Sequence, residues 1–435
     1  MWGAPKFVLV ILASILVDFY LSHWIFNSEG LRKKAILIFS VCLNVGILLY
    51  FKYANFFVEN VNAMLQSFGA REPIQWTSVA LPIGISFFTF HELSYIIDVY
   101  RGVNKPMKRI TDYAVYILLF PQLIAGPIIR YKEIANQIID RHHQETIDNR
   151  LTGFFRFVIG LSKKVLIANV LGEQVDEIFS TPADQLSTSL AWIGIVAYSF
   201  QIYFDFSGYS DMAIGLARML GILFPENFDN PYIARNITEF WRRWHISLSR
   251  WMRDYLYIPL GGNQVDSKAR LYLNLWLVFL ISGFWHGAAW NFIVWGAFHG
   301  LFLIADRLFL LRITEKIGKI PSMFMTFLIV IIGWVFFRSD TISYATSFIH
   351  TLFGSGADTS LPYIDTKFYF ILALAAIFSF SGALSRIHRF QNFILFRAPS
   401  TGRALAFSMF SLVLLILCIG SISSSGFNPF IYFRF

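Results

Sequence analysis

Runs of about twenty mostly apolar residues constrain this chain more than any other feature it has. Residues 7–26, 35–58 and 323–337 with their flanks are such runs. β-Barrel strands alternate over only about ten residues, so a barrel is excluded. Helices are the other way to satisfy backbone N–H and C=O groups in lipid. Composition agrees: 56% of the 435 residues are hydrophobic and 14% are charged, against about 25% charged in an ordinary soluble domain. The reading is an all-α polytopic membrane protein, which argues against a cytosolic enzyme.

Apolar segments fall at 5–26, 35–58, 79–99, 111–129, 151–171, 188–206, 208–224, 271–282, 284–310, 323–337, 367–384 and 404–422. They predict about ten to twelve membrane-embedded helices in one integral-membrane domain, residues 1–435, with its chemistry at 81–310. Several segments carry breaks (Pro82, Gly84, Pro121, Gly126, Pro127). A bilayer tolerates these only where protein or a water-filled cavity covers the backbone. Arg32, Lys33 and Lys34 follow the first span; Arg101, Lys105, Lys108 and Arg109 follow the third. The positive-inside rule then makes 27–34 and 100–110 cytoplasmic. Segment 111–129 spans or re-enters. The polar stretch 130–150, with isoleucines at 134, 138 and 139, reads as an interfacial amphipathic helix. Residues 5–26 are too long for a signal-peptide core and read as a first membrane helix. The net charge of +9 is loop charge rather than a nucleic-acid footprint. Cys42 and Cys418 each sit in an apolar run, so neither a disulfide nor a metal site is expected.

Three constellations carry candidate chemistry. Residues 236–263 read NITEFWRRWHISLSRWMRDYLYIPLGGN. On one helix, Trp241, Trp244, His245, Leu248 and Trp251 share a face. Glu239 pairs with Arg242 or Arg243 and Arg250 with Asp254 at helical spacing, and Thr238 is placed to cap the start. One reading is an interfacial helix with its arginines at lipid phosphates; the other gives His245 a task, since a titratable ring among tryptophans in a membrane is costly. The second constellation runs from Gly283 through Trp285, His286, Gly287 and Trp290 to Trp295 and His299. Gly283 and Gly287 form a small-xxx-small pair that lets another backbone approach. His286 suits a general base on a hydroxyl; the plainer reading is a core histidine bonded to a nearby carbonyl. On a continuous helix His299 lies about 220° around from His286, so the two rings cannot share one site there and a structural role is the better of its two readings. In the third, SFQIYFDFSGYSD at 199–211, Asp205 either orders a histidine or ties helices together. His91-Glu92 interrupts an aromatic run and is a weaker cavity-lining candidate, and His142-His143 reads as solvated. The P-loop, H-E-x-x-H and paired-Cys patterns are missing, so neither an ATP-driven pump nor a metalloenzyme is supported. Broken helices and midplane polar residues also mark secondary transporters, which usually show two similar halves; none are visible here. A scaffold of an exopolysaccharide machine is the third class.

Six ordered blocks carry a resemblance: 81–102, 118–134, 199–222, 240–263, 285–296 and 428–435. They resemble the membrane-bound O-acyltransferase family, in its bacterial alginate O-acetyltransferase branch. YIPLGGN after RDY favours that branch over the teichoic-acid D-alanyl transferase branch, whose FW-x-RWH helix is similar and whose D-alanyl or other acyl transfer to teichoic acid is the alternative activity. The resemblance implies helices ringed around a thin centre with funnels from both faces, in the bacterial inner membrane. It implies His286 as catalytic histidine and His245 as the second histidine of the core. Asp205, Glu239, Arg242, Arg243, Trp244, Trp285 and Trp290 are the candidate donor-binding or lining residues. It further implies transfer of an acyl group, usually acetyl from acetyl-CoA, toward a polysaccharide outside, completed by an extracytoplasmic SGNH-type partner, with no bound cofactor or metal. Family members usually begin with a further helix pair ending in an aromatic-rich stretch, and this chain starts at Met1-Trp2-Gly3 as though just after it.

Overall fold

The expected apolar runs fold as helices in the computed structural model, which describes residues 7–69, 72, 74–123, 126–355, 364–389, 400–424 and 430. No strand occurs among the described residues. The first six residues and the block at 428–435, apart from Phe430, lie outside them.

One compact unit comprises residues 1–144 with 222–224. Its helices are α1 (Phe7–Phe26), α2 (Gly30–Leu48), α3 (Ala54–Ser67), α4 (Ile85–Tyr100), α5 (Ile110–Leu118), α6 (Phe120–Leu123) and α7 (Tyr131–Ile139). A π turn at Leu49–Tyr53 carries α2 into α3 as one 38-residue rod. Helix α4 packs against α1, α2, α5, α6 and α7. The stretch at 111–129 is not one span: α5 stops where Leu119 turns to ψ 106°. Nor is 130–150 one helix. Its isoleucines 134 and 138 bury on α7 while Ile139 is exposed, and the chain breaks at Asp140 before a short turn of exposed His142 and His143.

The second unit comprises residues 145–221 and 225–435. It contains α8 (Ile147–Ser162), α9 (Asn169–Ser180), α10 (Thr188–Met219), α11 (Ile237–Arg243), α12 (Ile246–Met252) and α13 (Lys268–His286). There follow α14 (Trp290–Ala305), α15 (Leu311–Ile317), α16 (Lys319–Arg338), α17 (Ile342–His350), α18 (Thr366–Ser381) and α19 (Thr401–Ser424). Segments 188–206 and 208–224 prove to be the single 32-residue helix α10. Gly208 does not end it. Instead a Cβ on Gly208 would sit 2.7 Å from the Gly160 carbonyl oxygen of α8, and one on Gly160 2.4 Å from that of Gly208. The two glycines allow backbone-to-backbone contact, which is how membrane helices gain van der Waals packing without a hydrophobic driving force. The same pair is locked by charge: Arg156 on α8 reaches Asp211 on α10 at 2.6 Å and Glu226 at 2.5 Å, and Lys163 reaches Asp211 at 2.6 Å.

Five helical stretches among the described residues are long and apolar enough to cross a membrane: Phe7–Phe26, Gly30–Ser67, Trp290–Ile317, Lys319–Arg338 and Thr401–Ser424. This is a multi-pass membrane protein. Helix α10 lies inside the second unit, packed against α8, α9, α16 and α18. Cys42 is exposed and Cys418 buried, both as free thiols.

Candidate functional site

The aromatic stretch around His245 is two helices, not one. Helix α11 ends at Arg243, Trp244 is extended (φ −101°, ψ 129°), and His245 is left-handed (φ 44°, ψ 55°) before α12 starts. A left-handed non-glycine residue costs about 1–2 kcal/mol, and such strain gathers at functional sites. Asn236 caps α11 by accepting from the Glu239 N–H at 2.7 Å, while Thr238 turns its N–H and Oγ to Asp306, 2.7 and 2.8 Å away. Glu239 pairs with Arg243 at 2.9 Å, and Asp229 holds the same guanidinium at 3.0 Å. Asp254 pairs with Arg253, at 2.8 Å, rather than with Arg250, which is exposed.

The break is held from a distance by Asn227. Its backbone carbonyl accepts from the Ile246 N–H at 2.9 Å, and its Oδ1 accepts from the Ser247 N–H at 3.2 Å. Asn227 thus caps α12 from across the chain, satisfying N–H groups a helix start leaves open. A backbone N–H can only donate, so the amide oxygen is the atom facing Ser247, and the amide nitrogen donates to Ser210 Oγ at 3.0 Å. His245 Nδ1 lies 3.1 Å from the same oxygen and therefore carries the hydrogen. The lone pair is on Nε2, which is buried and has no hydrogen-bond partner.

His286 closes α13 and is anchored at the same nitrogen. Its Nδ1 lies 2.6 Å from the Ser282 carbonyl, which can only accept, so Nδ1 again carries a hydrogen. The chain then breaks at Gly287 and returns antiparallel as α14. A Cβ on Gly283 would sit 2.3 Å from the Phe292 carbonyl oxygen and 2.9 Å from Gly296 Cα. The small-residue contact thus pairs Gly283 with Gly296 across the hairpin, while Gly287 faces the Phe292 ring.

Packed rings link the histidines. Trp285, Trp295 and Phe337 lie 5.0, 4.9 and 5.6 Å from the His286 ring. Trp295 stacks on Trp334 at 6.0 Å, and Trp334 meets Trp244 at 4.9 Å. Phe206 stands edge-on to His245 at 4.6 Å. His245 lies outside the membrane-crossing helices. Burial first, and then the neighbouring His286 imidazole, hold it well below the usual histidine range. It is neutral at physiological pH.

His299 joins this cluster, against the continuous-helix expectation. The break between α13 and α14 lets Trp295 lie 4.9 Å from His286 and 5.2 Å from His299. Trp241 is 5.0 Å from His299, which is fully buried with neither ring nitrogen bonded. Asp205, by contrast, meets Lys164 in an ion pair that ties α10 to the π turn Lys163–Ala168. Trp244 and Trp285 are buried, Glu239 and Arg243 half-buried, and Arg242 and Trp290 exposed. His91 and Glu92 are buried on α4 in the other unit. Asn227 and Ser282 were not legible as site residues. They anchor the two Nδ1 atoms through contacts that no local spacing announces.

Residues 88–338, which include both histidines and Asn227, match the model of the membrane-bound O-acyltransferase family. The chain belongs to that family. It is 44% identical over 358 residues to the "Probable alginate O-acetylase AlgI" of Pseudomonas aeruginosa, covering 82% of this chain and 68% of the relative. Identity to the Azotobacter vinelandii protein of that name is 39% over 448 residues, covering 95% and 89%. The peptidoglycan O-acetyltransferase of Helicobacter pylori is 38% identical over 379 residues, covering 80% and 70%. As a family member the chain is an O-acyltransferase, and its matched region buries His245 and His286 together.

Proposed function

We propose that this acyltransferase passes an acetyl group from acetyl-CoA in the cytoplasm across the bacterial inner membrane for O-acetylation of an extracytoplasmic polysaccharide. The observation that carries the reading is the bond from His286 Nδ1 to the Ser282 carbonyl, which leaves Nε2 as the nitrogen that exchanges a proton. A neutral imidazole with Nδ1–H anchored and Nε2 basic is the form a general base needs. His286 Nε2 takes the proton as the acceptor oxygen attacks the thioester carbonyl. The new C–O bond forms, the C–S bond breaks, and the proton passes to the departing thiolate. His245 orients the donor or relays that proton, and its own basic Nε2 suits either task.

The exposed guanidinium groups of Arg242 and Arg250 receive the donor's phosphates. Arg243, held by Glu239 and Asp229, shapes the start of that surface instead. An SGNH-type partner outside the membrane completes transfer to the polymer. The names of the relatives favour alginate as acceptor, with peptidoglycan second. A transporter or scaffold would have no use for two buried histidines each anchored at Nδ1.

Inverted inner-membrane vesicles test donor and direction together. Given acetyl-labelled acetyl-CoA outside, wild-type vesicles accumulate labelled ester on luminal acceptor, and His286→Ala vesicles do not. Label that stays on the outer face, or that appears equally with His286→Ala, overturns the reading.

A further inference from the structure

The unit formed by residues 1–144 holds two buried carboxyl groups that acyl transfer does not use. Asp18 on α1 and Glu92 on α4 are both 0% exposed, and they lie close enough to repel one another. Neither has a cationic partner among the described residues. Buried charges without such partners are costly inside a membrane protein.

Their hydrogen bonds differ in kind. Asp18 Oδ1 accepts from Ser40 Oγ at 2.6 Å, and Oδ2 accepts from Asn44 Nδ2 at 2.7 Å. Each oxygen has a donor, as an ionised carboxylate requires. Glu92 has one neighbour, Ser14 Oγ, 2.8 Å from Oε1, and its Oε2 is buried with no partner. Ser14 owns a single hydroxyl hydrogen. The Ile11 carbonyl, 2.9 Å from the same Oγ, can only accept it. One hydrogen cannot serve both acceptors, so both contacts are hydrogen bonds only when Glu92 supplies a second hydrogen. An ionised Glu92 would leave a charged oxygen with no donor beside the Asp18 anion.

We propose that Glu92 is a proton-binding site, a carboxylic acid at neutral pH that donates to Ser14 Oγ, with ionised Asp18 as the anion that retains the proton. The groups around it from each packed element agree. Helix α1 contributes Asp18. Helix α5 contributes Tyr113, whose buried hydroxyl has no partner and feels both carboxyl groups. Helix α2 offers the neutral Asn44, and the π turn after it carries Lys52, which donates to Ser86 Oγ at 3.3 Å. Glu133 on α7 is engaged by Arg130, and α6 has no ionisable side chain. On α4 itself, His91 is buried with neither ring nitrogen bonded. Loss of the proton would set two anions between α1 and α4, so proton occupancy governs that contact.

Infrared spectroscopy of the full chain in lipid nanodiscs, over a pH series, tests this. The C=O band of a protonated carboxyl is present at neutral pH in the wild type and lost in Glu92→Gln. Ser14→Ala takes away the acceptor and moves the band to higher frequency. Asp18→Asn removes the like charge, so the band disappears at a lower pH than in the wild type. Superimposable wild-type and Glu92→Gln spectra at neutral pH overturn the proposal, as does an unmoved band in Ser14→Ala. Should Glu92→Gln fail to fold, the Ser14 and Asp18 variants decide it.

Discussion

Asn227 Oδ1 and His245 Nδ1 are 3.1 Å apart, and the same oxygen accepts from the Ser247 N–H at 3.2 Å. One side chain therefore fixes the backbone of α12 and the tautomer of the histidine before it. Asn227→Ala orphans buried donors at about 1–3 kcal/mol each. Turnover is expected to fall about ten- to hundredfold, with a lowered melting temperature in detergent; full activity contradicts the role. Asn227→Asp keeps the geometry but adds an anion, which raises the His245 pKa above its wild-type value. A group needed neutral is lost as pH falls through its pKa. The acid limb of the pH–rate profile should then lie at higher pH than in the wild type, whose activity persists below about pH 6.5.

Strain at His245 makes a second, separable expectation. Glycine adopts φ 44° freely, whereas alanine keeps the penalty of about 1–2 kcal/mol. His245→Gly should unfold at a higher temperature than His245→Ala, while both lose acylation. Equal stability of the two would mean that the left-handed turn is not under strain.

At the hairpin, Gly283→Ala would place a Cβ 2.3 Å from the Phe292 carbonyl oxygen. Backbone, not a flexible side-chain end, must move, so the cost should reach or exceed the roughly 1–3 kcal/mol of ordinary overpacking. Folded yield and melting temperature should drop together with activity. Gly46→Ala on α2, with nothing within 4 Å, is the control and should leave all three unchanged.

Arg156 supplies the stability test away from the histidines. Removing one partner of a buried ion pair costs about 3–5 kcal/mol. Lys163 still reaches Asp211 at 2.6 Å, which places Arg156→Met near the lower end of that range. Thermal unfolding that matches the wild type would show the network to be inert.

Much of this was legible in the sequence, because apolar runs of helical length leave lipid-embedded backbone few choices. Two errors share one cause, which is that close contacts across the fold are invisible to spacing. The break at Trp244–His245 has no Gly or Pro, and its aromatic spacing continues through it. What permits it is Asn227, which satisfies the new helix start from a remote segment. Segments 188–206 and 208–224 read apart in the sequence, yet they are one helix whose Gly208 opens room for Gly160. His299 was misplaced because a continuous helix was assumed where the chain turns back at Gly287.

The most direct measurement is mild-base release of ester-linked acetate from envelope polymers of cells carrying wild type, His286→Ala or no gene. Membrane levels of the variant should be matched to wild type. Loss of a general base costs about 10²–10⁴ in rate, so His286→Ala and the deletion should lose acetate from the same polymer to the same degree. Acetate retained in His286→Ala but lost in the deletion would contradict the account and leave the histidine a packing residue.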